Sequence, residues 1–502
     1  MLKLEKLASD FELLRDPDIG RKRIKNRLKI IEKNINHEYL APWYSLSKED
    51  DHVYPSQGLL RTPFDYLNYE GISMLPSEKI IKTLRLRWYF LEMFNHPYRM
   101  HFLKQTSDAK FNPVPKVKSE VFKNAFKTGL SISIGDLGAS VVGSDKDRVS
   151  RTQRYAQGPF IKLGRQARIP FVGSASPDVW NSTAAVTTMA ASHALAAIPR
   201  NGVLSDIKQQ ADLAREVFDW LDQLEEKLLD KRTDRKFVSN QWRNNVMGTL
   251  ETRGDKALIR ANELYKAGVR TFRVYSPEPG LGPVETVKVL RSEYGQKIEI
   301  ITGMIVDVDQ AIAAQKAGAD ALTIGIGGGG RCITGVRSGS VIDWPTLLWK
   351  LRGEITIPII VEGGASDHVA VTLLLGASGI GVTRIVGGGT IESPGGALFC
   401  SDGKGRLFKP YGGEASARTK YLDGKVLPFD IPSFVEGETT KAYMSYVKHA
   451  MPTLTYNLHL LLEDSILAMV FRNVNSISQL HGLAPSPLRQ GTGSDIFQRN
   501  TH

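Results

Sequence analysis

Cysteine and long apolar runs are scarce in this sequence, and each scarcity excludes a class of protein. The 502 residues include only two cysteines, Cys332 and Cys400, which are too few for a disulfide framework and are typical of a reducing compartment. No run of about 18 apolar residues occurs, which argues against a transmembrane helix. The first fifteen residues contain Glu5, Asp10 and Glu12 and no signal-like apolar stretch, unlike a transit or signal peptide. We therefore expect a cytoplasmic protein without membrane contact, and an organelle address stays open as the alternative.

Positive charge is in excess, and the excess lies mostly at the front of the chain. The formal net charge is +12, and residues 1–128 hold 23 Lys and Arg against 16 Asp and Glu. Such a balance favours a phosphate-bearing ligand, a nucleic acid or an acidic partner, and it does not choose among them.

The front of the chain also has helical periodicity. Apolar residues at spacings of four, three and four form one stripe on a basic segment, at Ile24, Leu28, Ile31 and Ile35, and a second helix is predicted at 77–94. One interpretation is a helical subdomain that packs on the rest of the protein. The other is an arm, within residues 1–128, that docks an RNA or protein partner.

From about residue 165 the pattern changes to short β-branched runs that end in Gly, Ser or charged residues and alternate with Ala-rich helices. The predicted strands lie at 169–175, 271–276, 298–304, 321–327, 357–364 and 380–388, with helices among them at 255–267, 308–317 and 367–375. This alternation predicts a parallel α/β fold.

Three glycine-rich segments follow predicted strands. IGIGGGGRCITG at 324–335 places Cys332 in a loop where glycines let backbone amides and carbonyls turn toward an anion or a cation. Such a thiol is either a nucleophile of lowered pKa or a small structural cysteine. The other two segments are VEGG at 361–364 and GGGTIESPGG at 387–396, and each is either an anion site or a simple turn.

Together with KPYGGEAS at 409–416 and IPFVGSASPDVW at 169–180, these segments resemble the IMP dehydrogenase/GMP reductase family over roughly residues 165–480. The cysteine loop of that family typically reads GxGPGSxCTTR, and its matching positions here are Gly325, Gly327, Gly329, Cys332 and Thr334. The resemblance implies a TIM (β/α)8 barrel over residues 126–485 with a short flap at 412–440. It also implies a homotetramer. A mainly helical extension at 1–125 and a tail at 486–502 complete the domain assignment.

The resemblance further implies that a thiolate attacks carbon 2 of a purine nucleoside 5′-monophosphate and that hydride passes to or from a nicotinamide cofactor. Cys332 would be the nucleophile, with Thr334 and Glu436 as an acid/base relay. The positions that match substrate-binding residues are Glu362, Gly363, Gly364, Arg384, Tyr411, Gly413, Glu414 and Ala415.

The cofactor positions carry the main departures from the family pattern. NAD or NADP would bind at Tyr275 and Ser276, yet Tyr275 stands where the family has an aspartate. Carbonyls of Gly327, Gly329 and Cys332 match those that hold a monovalent cation, such as potassium, in many relatives. The family's phosphate-binding serine is replaced by Gly330, and either Arg331 or Arg384 is expected to supply the missing donors.

Two functions remain open on this evidence. The first is an oxidoreductase of the IMP dehydrogenase/GMP reductase class, with the reaction direction and the choice of NAD or NADP undecided. The regulatory CBS modules of most IMP dehydrogenases are absent, and the flap between Ser416 and Glu436 is of a length closer to that of GMP reductases. The second is a catalytically degenerate member that serves as a structural or RNA/protein-binding component of a larger assembly.

Overall fold

The fold comes from a computed structural model. It describes residues 4–16, 71–75, 77–119, 122, 129–132, 149–174, 176–275, 280–325, 333–423, 426–444 and 453–491. The predicted basic helix around Ile24 to Ile35 lies outside these ranges.

A closed barrel of eight parallel strands forms the centre of the chain. Each strand pairs with its neighbours in sequence, and the last strand closes onto the first where Ile380 lies beside Phe171. The strands are Phe171–Gly173 (β1), Leu195–Ile198 (β2), Val246–Leu250 (β3), Thr271–Tyr275 (β4), Glu299–Ile305 (β5), Ala321–Ile324 (β6), Ile359–Val361 (β7) and Gly379–Gly381 (β8). The predicted TIM barrel is thereby confirmed.

The predicted strands differ from the observed ones in two respects. β2 and β3 are not among the predicted strands. The prediction of a strand over 380–388 is wrong in its second half, because a short helix begins at Thr383 and runs to Gly387. Thr383 leaves the extended conformation there because its hydroxyl donates to the carbonyl of Ser174 (2.8 Å), which ties the end of β8 to the end of β1.

Helices surround the barrel, and smaller sheets lie outside it. The α-helices are Leu4–Arg15, Ser77–Phe94, Pro97–Asp108, Arg151–Gln157, Pro177–Trp180, Thr183–Ala191, Ile207–Leu228, Arg235–Asn245, Gly254–Lys266, Gly282–Tyr294, Val308–Lys316, Thr334–Ser338, Trp344–Leu351, Val369–Leu375, Thr383–Gly387, Ala417–Leu422, Leu454–Val470 and Ile477–His481. Strands Gly71–Met74, Leu398–Ser401, Leu407–Gly412 and Thr439–Tyr443 form one antiparallel sheet. Three strand pairs are Leu130–Ile132 with Leu488–Gln490, Ile161–Leu163 with Gln166–Arg168, and Val426–Leu427 with Ile431–Pro432. Within the described ranges, no helix combines the length and the apolar character needed to cross a membrane.

The amino-terminal end of the barrel is closed by a hairpin and an ion pair. Leu163, in the hairpin that precedes β1, belongs to the same buried cluster as Val172, Met247 and Ile301 inside the barrel. At the base of β5, Glu299 accepts two hydrogen bonds from the buried Arg168, at 2.7 and 3.0 Å. Since this end is filled, an accessible site can form only at the carboxyl ends of the strands, as in other barrels of this type.

The described part of the N-terminal region is mainly helical, as predicted, and it packs on the barrel. Phe11 is fully buried and lies with its ring centroid 5.2 Å from that of His96 and 6.4 Å from that of Tyr155. Phe90, on the predicted helix 77–94, stacks on His459 of the last long helix at 4.5 Å. These contacts bury aromatic area, the contribution that stabilises docked helices most.

Three buried histidines predict a loss of stability in acid. Burial lowers the pKa of His193 to about 3 and the pKa values of His459 and His481 to about 4. The unfolded chain, with a histidine pKa of about 6.5, binds more protons in this window. Stability is therefore complete above pH of about 6.5 and falls as pH drops toward 4, by at most about 1.4 kcal/mol per pH unit for each histidine.

Urea unfolding between pH 4 and 7 measures this slope. The variant His481→Gln keeps a donor for the carbonyl of Ala377, which His481 contacts at 2.9 Å, but it cannot titrate and should flatten the slope. The matched control His101→Gln changes an exposed side chain and should leave the slope as it is. Equal slopes in wild type and His481→Gln would contradict the prediction.

Candidate functional site

The loops after β1 and β8 form one wall of the barrel mouth. The hydroxyls of Ser174 and Thr383 lie 2.9 Å apart, and the indole of Trp180 donates to Thr383 at 3.1 Å. A Cβ atom added at Gly173 would lie 2.4 Å from the ring of Trp180. Glycine is therefore required at the end of β1 for this wall to close.

The end of β7 carries the predicted glycine pair. Gly363 and Gly364 both have positive φ, at 77° and 87°, a conformation that favours glycine. On the neighbouring strand β6, a Cβ atom added at Gly325 would lie 2.1 Å from the carbonyl oxygen of Glu362. Gly325, at the end of β6, and Glu362, at the end of β7, are thus in close backbone contact, which requires glycine at position 325.

Tyr411 and Arg384 lie next to each other on the same side of the mouth. Strand Leu407–Gly412 presents Tyr411, and the hydroxyl of Ser176 donates to the carbonyl of Gly412 at 2.7 Å. Burial raises the pKa of Tyr411 to about 12, while the neighbouring Ser176 hydroxyl and the positive charge of Arg384 oppose that rise. Nε of Arg384 is buried and has no hydrogen bond in the described part of the chain.

The flap is anchored by a fully buried ion pair. Nε of Arg418, at the start of the flap helix, donates to the carboxylate of Asp178 in the β1 loop at 3.0 Å, and both side chains are at most 1% exposed. Breaking a buried pair by removing one partner typically destabilises a protein by about 3–5 kcal/mol. This contact fixes where the flap leaves the barrel.

The flap returns to place Glu436 beside the short helix that follows the cysteine loop. Oε2 of Glu436 lies 3.4 Å from Oγ1 of Thr334. The backbone amide of Ile333 donates to the carbonyl of Glu436, and the amide of Glu436 donates to the carbonyl of Ala415, each at 2.9 Å. Two of the three residues predicted to act on the substrate are thus brought together although they are 102 positions apart.

The end of β4 differs most from what the sequence predicts. Tyr275, at the end of β4, stacks over the guanidinium of Arg273, whose carbon lies 3.8 Å from the ring centroid. Nη2 of Arg273 donates to Glu362 at 2.7 Å. Burial acts to lower the pKa of Arg273, but the carboxylates of Glu362 and Glu414 raise it above its ordinary value. Burial raises the pKa of Glu362, and the charge of Arg273 opposes that rise.

Several predicted residues lie outside the described ranges. These are Ser276, Gly327, Gly329, Gly330 and Cys332, so the cysteine and the carbonyls assigned to a monovalent cation remain expectations from the sequence. Gly413, Glu414 and Ala415 are described and lie where the sheet joins the flap. Within the described residues, His, Cys, Asp and Glu side chains form no group that could hold a metal ion.

Arg273 is the functional candidate that sequence reasoning missed. A signal was available, because Arg273 is a charged residue in the otherwise apolar strand TFRVY and lies two positions before Tyr275. Side chains two positions apart on a strand share a face. If Tyr275 points into the barrel, Arg273 must therefore do so as well.

The fold and the position of these side chains define a (β/α)8 barrel protein with a candidate ligand site at the carboxyl ends of its strands. The family model "IMP dehydrogenase / GMP reductase domain" matches residues 153–460, which is more than half of the chain. The chain belongs to the IMP dehydrogenase/GMP reductase family.

Individual relatives match a smaller part of the chain. An inosine-5′-monophosphate dehydrogenase of Mycobacterium leprae is 32% identical over 180 residues, 34% of this chain and 33% of the relative. The inosine-5′-monophosphate dehydrogenase of Aquifex aeolicus is 29% identical over 205 residues, which are 38% of this chain and 41% of the relative. Inosine-5′-monophosphate dehydrogenase 2 of Arabidopsis thaliana is 30% identical over 190 residues, 36% of each chain. The matches thus span about a third to two fifths of these curated relatives.

The two thiols should differ sharply in reactivity. Cys400 is 2% exposed, and burial raises its pKa to about 11, so it holds little thiolate near neutral pH. Cys332 lies beside Arg331 in a glycine-rich loop, and we expect limiting iodoacetamide to label it first. Peptide mapping measures the order, and Cys400→Ser should keep the wild-type labelling rate. Faster modification of Cys400 in the folded protein would refute the assignment of the nucleophile.

Proposed function

We propose that the chain binds a purine nucleoside 5′-monophosphate at the carboxyl-terminal mouth of its barrel and acts on carbon 2 through Cys332. The observation that carries this proposal is the Thr334 and Glu436 pair, at 3.4 Å. A hydroxyl beside a carboxylate can move a proton at a reacting atom, the role of a general acid/base. The backbone bonds that hold Glu436 in place give the pair a fixed position at the start of the helix Thr334–Ser338.

Arg384, Tyr411 and the glycine pair support a phosphate position. Their donors are a guanidinium, a phenol hydroxyl and the amides that follow Gly364, which opens a helical turn at Ala365–His368. Arginine matches the oxygens of a phosphate with two parallel donors. We therefore assign the 5′-phosphate to the side of the mouth where Arg384 and Tyr411 lie.

The residues present do not fit a nicotinamide cofactor well. The carboxylate that would accept hydrogen bonds from the nicotinamide side is replaced by the ring of Tyr275, which covers Arg273 at 3.8 Å. A missing polar partner leaves buried groups of the cofactor unpaired, at about 1–3 kcal/mol each. We therefore expect weak binding of NAD or NADP.

The same observation favours a second candidate function. A barrel that keeps its nucleotide side but fills its cofactor side could serve as a scaffold, with residues 1–128 as the surface toward an RNA or protein partner. The described helices of that segment are packed on the barrel, as Phe90 on His459 shows. Nucleotide binding and turnover separate the two candidates.

Replacing Arg384 by Ala should weaken binding of a purine monophosphate by about 1.5–3 kcal/mol, roughly 10- to 150-fold, the range for a hydrogen bond to a charged group. Calorimetry with IMP and with GMP measures the change. Arg215→Ala is the matched control, because Arg215 lies on an outer helix and pairs only with Asp212 in the described part of the chain. Unchanged affinity in Arg384→Ala would show that the phosphate binds elsewhere.

Turnover tests the reaction itself. We expect the wild type to convert IMP with NAD, or GMP with NADPH, far more slowly than relatives with an aspartate at the end of β4, as read from nicotinamide absorbance. Tyr275→Asp should raise the rate, because it restores a carboxylate, whereas Tyr275→Phe should not. Glu436→Gln should lower the rate and keep nucleotide affinity. Fast wild-type turnover would refute the assignment of Tyr275, and silence in all variants without nucleotide binding would favour the scaffold.

A further inference from the structure

The hairpin at 426–432, in the middle of the flap, exposes apolar side chains to solvent. Its strands pair as a two-stranded sheet of their own, with Leu427 opposite Ile431, and these two side chains are 54% and 53% exposed. Phe429 and Phe434 are 93% and 84% exposed, more than any other large apolar side chain in the described part of the chain. We call Leu427, Phe429, Ile431 and Phe434 the flap tip. A cluster of exposed apolar side chains marks an interaction site.

The backbone of the flap tip is strained at both phenylalanines. The angle φ is 67° at Phe429 and 50° at Phe434, which is the left-handed region that bulky L-residues rarely adopt. A hairpin of two strands is also only marginally stable in water by itself. Burial of the two phenylalanines against another surface would offset the strain and the exposure together, because aromatic side chains bury a large apolar area.

A second group of exposed apolar side chains lies on the helices that follow β3 and β4. Ile259 is on the first of these helices, Leu281 caps the second and Val289 is on the second, and they are 61%, 65% and 37% exposed. The two helices approach closely, since a Cβ atom added at Gly254 would lie 3.0 Å from the side chain of Val289. Both helices begin at the mouth end of the barrel, and we call Ile259, Leu281 and Val289 the rim patch.

The two surfaces differ in charge. Residues 423–438, which contain the flap tip, hold four acidic residues against one lysine, a net charge of −3, on a chain whose net charge is +12. At the start and in the first two turns of the rim helices, the exposed charged residues are three basic and two acidic ones, a balance of +1: Arg253, Lys256, Lys288, Asp255 and Glu285. Copies of a basic chain repel each other, so contact is favoured where an acidic surface of one copy meets a basic surface of the next.

We propose that the flap tip of one copy of this chain docks on the rim patch of a second copy. The contact is heterologous, because it joins two different surfaces, and its repetition generates a ring or an open chain of copies. Phe434 lies two positions before Glu436, so a neighbour that holds the flap tip also holds the returning part of the flap. The inference concerns assembly and is independent of the nucleotide proposed for the mouth.

Other occupants match the flap tip less well. A nucleic acid or an anionic membrane would meet the negative charge of residues 423–438, which repels phosphate groups. Contact between two flap tips would bring the acidic residues of both copies together, and like charges facing each other across an interface are costly. The rim patch of a second copy offers apolar area and the opposite sign of charge at once.

Sedimentation velocity of the full chain over a range of concentrations tests the proposal. We expect the wild type to self-associate. The double variant Phe429→Ser with Phe434→Ser should weaken self-association by about 100-fold or more, since two buried aromatic side chains are lost from the contact. The double variant Ile259→Asp with Leu281→Asp should weaken it as strongly, because acidic side chains would then face the acidic flap tip. Phe471→Ser, which removes an aromatic side chain that is 46% exposed elsewhere, is the matched control and should assemble as the wild type does.

A mixture of the two double variants tests whether the contact joins different surfaces. The tip variant keeps an intact rim patch, and the rim variant keeps an intact flap tip, so one contact can still form between them. We therefore expect an equimolar mixture to give heterodimers and no larger species, although each variant alone stays monomeric. Thermal unfolding midpoints equal to that of the wild type show that the exposed substitutions leave the fold intact.

Three results would overturn the inference. A wild type that stays monomeric well above the micromolar range would assign the flap tip to a different partner. Self-association that persists in both double variants would place the interface elsewhere on the chain. Assembly lost in the tip variant but kept in the rim variant, with no heterodimer in the mixture, would indicate that flap tips contact each other.

Discussion

The ion pair of Arg273 and Glu362 crosses the interior of the barrel from β4 to β7, and the arrangement of the mouth depends on it. The two side chains are 3% and 11% exposed, so either charge alone would carry a desolvation penalty of several kcal/mol. As a pair, Arg273 and Glu362 hold a guanidinium at the carboxyl ends of the strands, where a (β/α)8 barrel usually has its active site. The ring of Tyr275 stacks on that guanidinium. Burial raises the pKa of Glu414, and the positive charge of Arg273 opposes the rise.

The mouth carries hydrogen-bond donors as well as this ion pair. On one side, Tyr411 and Arg384 lie near hydroxyls and glycine amides, a set of donors that suits a phosphate. Glu362, which pairs with Arg273 at 2.7 Å, also acts on Tyr411 through its charge, so the ion pair and these donors are close neighbours. The flap is held at its start by Arg418, which pairs with Asp178 at 3.0 Å, and at its return by the backbone hydrogen bonds of Glu436. A nucleotide bound at the mouth would meet the phosphate donors and the ion pair of Arg273 with Glu362 together.

Sequence reasoning predicted the parts of this arrangement that depend on local pattern or on family motifs. Glycine-ended apolar runs located six of the eight strands, and the resemblance paired Thr334 with Glu436 across a long stretch of chain. The second half of the run at 380–388 was mistaken for strand, because a local pattern cannot show that Thr383 bonds to Ser174 in another loop. The partnership of Arg273 with Glu362 was also out of reach, since 89 positions separate them and only the closed barrel brings them together. A contact between residues far apart in the chain can override a local preference, and local sequence patterns do not predict such contacts.

The charges near the end of β4 bear on whether a nicotinamide ring can bind at the mouth. An oxidised nicotinamide ring is positive, and the carboxylate of Glu362 is already paired with Arg273 at 2.7 Å, so its charge is largely compensated and attracts such a ring little. Tyr275 shields Arg273 on one face only and offers a single hydroxyl where relatives have a carboxylate. The loss of the carboxylate at the end of β4 is therefore not offset by Glu362, and this is the physical basis on which we expect a nicotinamide ring to bind weakly.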